Sequence, residues 1–244
     1  MKKAFPILAI LTVLLLAYAF YEAMWVAPME RTMGDVQRIF YYHVPSAWTA
    51  FLLFFVNLVA SVVYLVRRNP KADALAFVTA EVGVVFCTVV LVTGPIWARP
   101  VWGIWWTWDV RLTTTLVLWL IYVSYLVLRR FSDSAQTPIL AAVLAIFGAL
   151  DVPLVYFSIW FFRTQHPQPV IGGGGSMDPR MLQVLLISWM AFLCFAFLVC
   201  WSRFRLEKLR REVEEAEALE SLQEPGGTVA PSSEAKVPLS GRAK

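Results

Sequence analysis

The chain has 244 residues, 59% of them hydrophobic, and a formal net charge of +4. Soluble domains contain only about 45–50% apolar residues, so this composition predicts a membrane protein. Its Lys and Arg residues lie mostly at the ends of apolar segments, which excludes the concentrated basic patch of a nucleic-acid-binding protein.

Six apolar runs predict an all-α membrane protein with a bundle of six transmembrane helices. The first run extends from Phe5 to about Val26, which is long enough to cross about 30 Å of hydrocarbon. We expect this first helix to be retained rather than removed as a signal peptide. The other five helices are predicted over residues 46–66, 74–93, 113–128, 137–157 and 182–201.

The sequence also predicts three regions along the chain. Residues 1–203 form the transmembrane domain, and residues 204–224 carry a charged helical pattern on the cytoplasmic side. Residues 225–244 are rich in Pro, Gly and Ser and are predicted to be disordered.

The distribution of basic residues predicts the orientation of the bundle. The N-terminus, the two turns at 67–71 and 129–130, and residues 203–211 carry 2, 3, 2 and 5 Lys or Arg residues, respectively. The three opposite connections together carry six arginines and no lysine. The positive-inside rule therefore places both termini in the cytoplasm and the connections 27–45, 96–112 and 158–181 on the outer face.

The second outer connection, residues 96–112, is called the tryptophan segment below. Its end, with Thr113, reads WGIWWTWDVRLT, which places four of the chain's 11 tryptophans within seven positions, and Trp97 lies just upstream. Tryptophan favours the membrane–water boundary, so a simple aromatic belt would explain one or two of these residues. Five tryptophans around Asp109 and Arg111 are better explained by a flat aromatic surface for a large planar ligand.

The only two histidines, His43 and His166, fall in the first and third outer connections. Each stands close to a proline and follows aromatic residues. Neutral imidazoles can bind a haem iron from its two faces, and aromatic side chains can bury the macrocycle. A lone histidine in a loop is usually structural, so the residues alone leave a pair of ligands and a pair of structural histidines equally open.

Three segments resemble the tryptophan-rich "WWD" haem-handling proteins, and among them the haem exporter protein C (CcmC) family of cytochrome c maturation. They are WGIWWTWDVRLT, RIFYYHVPSAW around His43 and FSIWFFRTQHP around His166, and the resemblance covers residues 1 to about 203. It implies that His43 and His166 are the axial ligands of an oxidised protohaem (haem b). The aromatic surface that it implies comprises Trp97, Trp102, Gly103, Trp105, Trp106, Trp108, Asp109 and Arg111.

The charged residues of these segments have two interpretations. Asp109 and Arg111 either contact the ligand or only fix the connection by hydrogen bonds. Arg38, Arg99, Arg111 and Arg163 are candidates to meet the haem propionates, because the planar guanidinium matches a carboxylate. The alternative for each of them is an ordinary arginine at the membrane boundary.

The resemblance also implies a location and a task. It places the chain in the bacterial inner membrane, where it would bind haem at the periplasmic face and deliver it to the haem chaperone CcmE. The ATP-binding and permease subunits CcmA and CcmB and the small membrane protein CcmD would be its partners. The chain has no GxxxxGK[ST] phosphate-binding loop, so we expect a haem-transfer component that assists covalent attachment to the chaperone and is not itself an enzyme.

Two other functions stay open at this point. A membrane b-type cytochrome would also use two histidines, although such ligands usually project from helices deep in the bilayer, whereas both histidines here are predicted in connections. A transporter permease or an assembly scaffold would use the tryptophan segment as a protein-docking patch.

Overall fold

The computed structural model describes residues 4–132, 134–162, 164–167 and 177–223. Each of its six α-helices is long and apolar enough to cross a membrane, which confirms the predicted multi-pass, all-α architecture. The helices are α1 (Ala4–Tyr21), α2 (Phe40–Arg67), α3 (Pro70–Trp102), α4 (Val110–Phe131), α5 (Thr137–Phe161) and α6 (Pro179–Gln223).

Short helical turns and caps fix where these helices begin. A π-helical turn, Glu22–Val26, extends α1, and a 3₁₀ turn, Asp35–Ile39, leads into α2. The side chain of Asn69 accepts a hydrogen bond from the Lys71 amide at 2.9 Å, directly before the proline that begins α3. An N-cap acceptor followed by proline at the first helical position is a favoured helix start.

The core of the bundle is formed where α2 packs on α3 and α5, and α4 on α5. The ring of Phe54 stacks on that of Tyr122, with centroids 3.8 Å apart and planes 13° apart. Gly83 makes this packing possible, because a Cβ atom there would lie 2.6 Å from Cε1 of Phe54. Small residues allow membrane helices to approach closely, so van der Waals packing can stabilise the bundle.

Three polar or charged side chains inside the spans have partners on neighbouring helices. Asn57 of α2 donates to the Ala76 carbonyl of α3 at 2.6 Å. Arg129 forms a bidentate ion pair with Asp73 at 2.5 and 2.8 Å, and Arg203 pairs with Glu81 at 2.7 Å. Because lone charges are costly in a bilayer, these pairs are best explained as structural links of α3 to α4 and α6.

The first predicted connection is too long, because α2 begins at Phe40 rather than at residue 46. His43 therefore lies in a helix and not in a loop, and Pro45 is its sixth residue. The preceding 3₁₀ turn already has helical backbone geometry and leads directly into α2. Pro45 lacks an N–H group, so one helical hydrogen bond is lost there. Membrane helices tolerate such a loss.

The predicted end of the third helix at Gly94-Pro95 is also wrong. Helix α3 continues through Pro95 and Pro100 to Trp102, so the first part of the tryptophan segment is helical. It ends at Gly103, whose φ of +78° and amide hydrogen bond to the Arg99 carbonyl at 3.0 Å form a glycine C-cap.

The chain divides into two compact units, Met1–Glu207 and Lys208–Lys244. In the second unit, the described residues continue the helix α6 and carry ion pairs one turn apart, Lys208 with Glu212 at 3.1 Å and Arg210 with Glu214 at 3.4 Å. The helix has no break at the predicted domain boundary of residue 203. That boundary stays a prediction, and the predicted disordered tail 225–244 lies outside the described residues.

Candidate functional site

His43 lies near the start of α2 and faces α3. Its side chain is buried, with the residue only 8% exposed, and its Nδ1 lies 2.8 Å from the hydroxyl of Thr93. Its ring meets that of Trp97 edge to face, with centroids 5.8 Å apart. Trp97 also packs against Phe40 at 6.1 Å, so the last turns of α3 hold this imidazole against the start of α2.

His166 lies after α5, in the short described stretch 164–167, and is half-buried. Its Nδ1 lies 2.9 Å from the carbonyl oxygen of Pro167. Burial, together with the positive charge of Arg111, lowers the pKa of His166 to about 4. The imidazole is therefore neutral at pH 7, which is the form that binds a metal ion.

Asp109 connects the tryptophan segment to the histidine stretch. Its Oδ1 accepts from the Leu112 amide at 2.9 Å and caps α4, which explains why this helix begins immediately after Asp109. Its Oδ2 accepts from the Gln165 amide at 3.2 Å, one residue before His166. Asp109 thus fixes the backbone at two places by hydrogen bonds, and its contact with a ligand stays a prediction.

Arg111 joins α4 to the end of α5. Its Nη2 donates to the Tyr156 carbonyl at 2.8 Å and its Nε to the Ser158 hydroxyl at 3.3 Å. The charge of Arg111 acts on His166, while Trp97 contacts His43 and Asp109 binds the backbone next to His166. The structure therefore brings the two histidines and the tryptophan segment together at one end of the bundle, although their roles as haem ligands stay predictions.

The tryptophans occupy two different settings. Trp97 and Trp102 belong to the last turns of α3, whereas Trp105, Trp106 and Trp108 lie in the non-helical stretch before α4. Trp105 and Trp108 are 58% and 76% exposed, and the rings of Trp106 and Trp108 meet edge to face at 5.8 Å. The indole N–H groups of Trp97 and Trp106 are buried without a partner among the described residues.

The arginines predicted to meet the haem propionates differ in the hydrogen bonds and ion pairs that they already make. Arg38 donates to the Ala23 carbonyl at 2.7 Å and pairs with Asp35 at 3.1 Å, which ties the 3₁₀ turn to the end of α1. Arg99 is exposed and contacts only the nearby Gly103 carbonyl among the described residues. Arg163 lies outside the described residues. Among the described candidates, Arg99 is therefore the arginine that can turn toward a ligand with the smallest loss of existing contacts.

The chemistry of these side chains fits a haem. In the described part of the chain, both histidines use Nδ1 in a hydrogen bond and neither uses Nε2. Each can therefore offer Nε2 to an iron atom, and the neighbouring indoles offer apolar area and unpaired N–H donors. An exposed guanidinium can pair with a carboxylate.

Three residues of the site carry no sequence signal of their own. The sequence predicts Thr93 only as the last residue of the third helix, and nothing marks Gln165 or Ser158 as partners of Asp109 and Arg111. Their contacts join positions 47–56 residues apart in the chain. Such pairings follow from the helix packing and cannot be read from local spacing.

The fold and the site together define a multi-pass membrane protein with two imidazoles and a tryptophan segment gathered at one end of its bundle. Known proteins are similar to this chain over the whole bundle and the site. The family described as "CcmC: Heme exporter protein C" matches residues 1–219. The chain therefore belongs to the haem exporter protein C family.

Individual relatives agree with this assignment. A heme exporter protein C of Bradyrhizobium diazoefficiens is 36% identical over 222 residues, which are 90% of this chain and 84% of that protein. The heme exporter protein C of Escherichia coli K12 is 33% identical over 216 residues, 86% of this chain and 88% of that protein. A cytochrome c biosynthesis ccmC-like mitochondrial protein of Marchantia polymorpha is 33% identical over 179 residues, 73% of this chain and 76% of that protein.

Proposed function

We propose that this protein handles haem for cytochrome c biogenesis by holding a haem b between His43 and His166 and passing it to the chaperone CcmE. The observation that carries the proposal is that two imidazoles lie at one end of the bundle. In each of them Nδ1 is hydrogen-bonded, and Nε2 has no hydrogen bond to the described residues. Family membership supports the haem-handling role. The identity of the ligands and of the acceptor is the proposal itself.

The two histidines would hold the iron in different ways. His43 is buried between α2 and α3, so its position is fixed by helix packing. His166 lies in a short stretch held by the Asp109–Gln165 hydrogen bond and by its own neighbours. We infer that His43 keeps its position whether or not haem is bound, and that His166 is the ligand released when haem leaves.

The tryptophans would have two different roles in holding the haem. Trp97, packed on His43 and Phe40, would form the inner wall against the macrocycle. Trp105 and Trp108 are exposed and would cover the ligand from outside or meet the acceptor protein. Exposed aromatic side chains at the membrane boundary offer apolar area that a soluble partner can bury.

The charge distribution supports one side of the membrane for the site. Six spans alternate in direction, so residues 27–34, 103–109 and 164–167 share one end, opposite both termini. The excess of Lys and Arg at the other end supports a cytoplasmic location for the termini and a periplasmic location for the site. We propose the bacterial inner membrane as the location and CcmA, CcmB and CcmD as partners.

Haem delivery can be tested by co-expressing the protein with CcmE and measuring the haem that becomes covalently attached to the chaperone. His43→Ala and His166→Ala should each reduce the haem-stained chaperone at least tenfold. Tyr42→Phe is a matched control, because it changes the neighbouring residue and removes a hydroxyl that has no partner among the described residues. Wild-type levels of loaded chaperone in both histidine variants would refute the proposal.

One observation favours a second candidate, a b-type cytochrome. His43 lies inside a membrane-spanning helix and is buried, which is the usual placement of an electron-transfer ligand. Reduction of the bound haem by a quinol, at a rate that supports turnover, would favour electron transfer. Loss of haem to added CcmE without quinol oxidation would favour delivery.

A further inference from the structure

Thr93 is hydrogen-bonded in a way that determines the tautomer of His43. A hydroxyl group has one proton, and that of Thr93 lies 2.7 Å from the carbonyl oxygen of Val89, one turn earlier in α3. A carbonyl can only accept, so the hydroxyl proton is used there. The remaining short contact of this oxygen is 2.8 Å to Nδ1 of His43, so the Thr93 oxygen accepts a hydrogen bond there from the Nδ1–H group.

The consequence is an imidazole protonated at Nδ1 with its lone pair at Nε2. His166 reaches the same state by another route, since its Nδ1 faces the carbonyl oxygen of Pro167 at 2.9 Å, which also can only accept. Both rings therefore present Nε2 as a donor atom for a metal. The tautomer of His166 depends on its own neighbour, whereas that of His43 depends on another helix.

The same part of α3 fixes the orientation of the His43 ring. Trp97 lies one turn after Thr93 and meets the ring at 73°. Between them, Gly94 leaves the backbone bare beside the imidazole, because a Cβ atom there would lie 3.5 Å from Cε1 of His43. The ring is thus bounded by a hydroxyl, a stretch of bare backbone and an indole, and its Nε2 makes no hydrogen bond to the described residues.

We propose that Thr93 is the positioning residue for His43 and that it favours ferric over ferrous haem at this site. This inference rests on the proposed function, in which His43 is an iron ligand. An acceptor at Nδ1 makes the imidazole a stronger donor, and the hydrogen bond of Thr93 to Val89 makes its oxygen a better acceptor. Ferric iron gains more from a stronger donor, so the hydrogen bond lowers the reduction potential of the bound haem.

The test compares three variants as purified proteins loaded with haem. Thr93→Val keeps the shape and removes the acceptor, and Thr93→Ser keeps the hydroxyl. Thr88→Val is a matched control, because Thr88 also lies in α3, donates to a carbonyl one turn earlier and accepts from a ring N–H, that of Trp119 at 2.9 Å. Midpoint potential and ferric haem affinity are measured for each.

Loss of an outer partner of a metal-binding histidine typically costs 10–100-fold in affinity. Thr93→Val should therefore bind ferric haem about tenfold more weakly than the wild type, with ferrous binding much less affected. A tenfold change in the ferric-to-ferrous ratio corresponds to a rise of about 59 mV in the potential. Thr93→Ser and Thr88→Val should keep the wild-type potential.

An unchanged potential in Thr93→Val, or an equal shift in Thr93→Ser, would overturn the role of Thr93. Nitrogen-15 NMR of His43 in the haem-free wild type gives a second test that does not depend on how a variant folds, and a proton at Nε2 instead of Nδ1 would also overturn it. Failure of the proposed function looks different, because the wild type itself would then lack a haem that His43→Ala removes.

Discussion

The Asp109 carboxylate accepts a hydrogen bond from the Gln165 amide at 3.2 Å and so joins the tryptophan segment to the stretch that carries His166. The same carboxylate caps α4 through the Leu112 amide. One side chain therefore sets both the start of a membrane-spanning helix and the position of a candidate iron ligand. Asp109 lies in the most distinctive motif of the sequence, yet in this structure its contacts support another part of the site.

Replacing Asp109 with Asn should separate these two tasks. Asn caps helices about as well as Asp, so α4 should keep its start and the protein its stability. If the amide turns its NH₂ group toward Gln165, two donors face each other and the hydrogen bond is lost. We expect weaker haem binding and partial conversion to a high-spin spectrum, measured by absorbance and EPR.

Thr107→Val is the control for Asp109→Asn, because it removes only the longer 3.4 Å contact to the same carboxylate. It should keep the wild-type spectrum. A fully low-spin Asp109→Asn protein with wild-type affinity would show that this hydrogen bond does not hold His166 in place.

In the haem-free protein, His166 should titrate near pH 4, well below its ordinary pKa of 6.5. Burial is the main cause and the charge of Arg111 the second, so Arg111→Gln should raise the pKa without restoring 6.5. Because the unfolded chain takes up this proton near pH 6.5, stability should be complete above pH 6.5 and decrease as the pH falls toward 4. NMR titration of the His166 ring measures the pKa directly, with Arg99→Gln as the control, and a wild-type value of 6.5 or above would contradict the burial of this ring.

The ion pair of Asp73 with Arg129 should matter more for stability than that of Glu81 with Arg203. The side chains of the first pair are only 6% and 10% exposed, and Arg129 also lies 5.0 Å over the ring of Phe77. Asp73→Asn removes the bidentate carboxylate partner of a buried guanidinium, a loss that typically costs about 3–5 kcal/mol. The second pair is 27% and 43% exposed, so Glu81→Gln should cost about 1 kcal/mol or less. Unfolding in detergent measures both, and equal effects would contradict the difference in burial.

Replacing two tryptophans of the site with alanine should have different effects on the free energy of unfolding and on haem content. Trp108 is 76% exposed, so Trp108→Ala should change the free energy of unfolding by less than about 0.5 kcal/mol while reducing haem retention or transfer. Trp97 packs on Phe40 and His43, so Trp97→Ala should cost about 2 kcal/mol or more. Unfolding curves and haem content, measured on the same samples, check both. A destabilised Trp108→Ala with normal haem content would reverse the assignment.

Much of the fold could be predicted from the sequence because apolar length is a strong signal. All six helices were expected, and α5 begins at the predicted residue, Thr137. The errors lie at Pro45 and Pro95, where the sequence predicted a helix boundary. In a membrane helix the lost hydrogen bond is tolerated, and the stronger stop signal is the positive φ of Gly103.

The site was only partly predictable. Motif and resemblance identified His43, His166 and the tryptophan segment as candidates, and alternation of the spans placed them on one side. The contacts of Thr93, Gln165 and Ser158 depend on side chains that meet only after the helices pack. The sequence left open whether Asp109 and Arg111 touch a ligand or fix the backbone, and the structure shows backbone-fixing hydrogen bonds for both.

The central claim is that His43 and His166 bind one iron from its two faces. Its most direct measurement is the absorbance and EPR spectrum of the purified, haem-loaded protein beside His43→Gly and His166→Gly, with and without added imidazole. We predict a low-spin bis-imidazole spectrum for the wild type, loss of that spectrum in each variant, and its recovery with imidazole. A wild-type spectrum that persists unchanged in either variant without imidazole would contradict the claim.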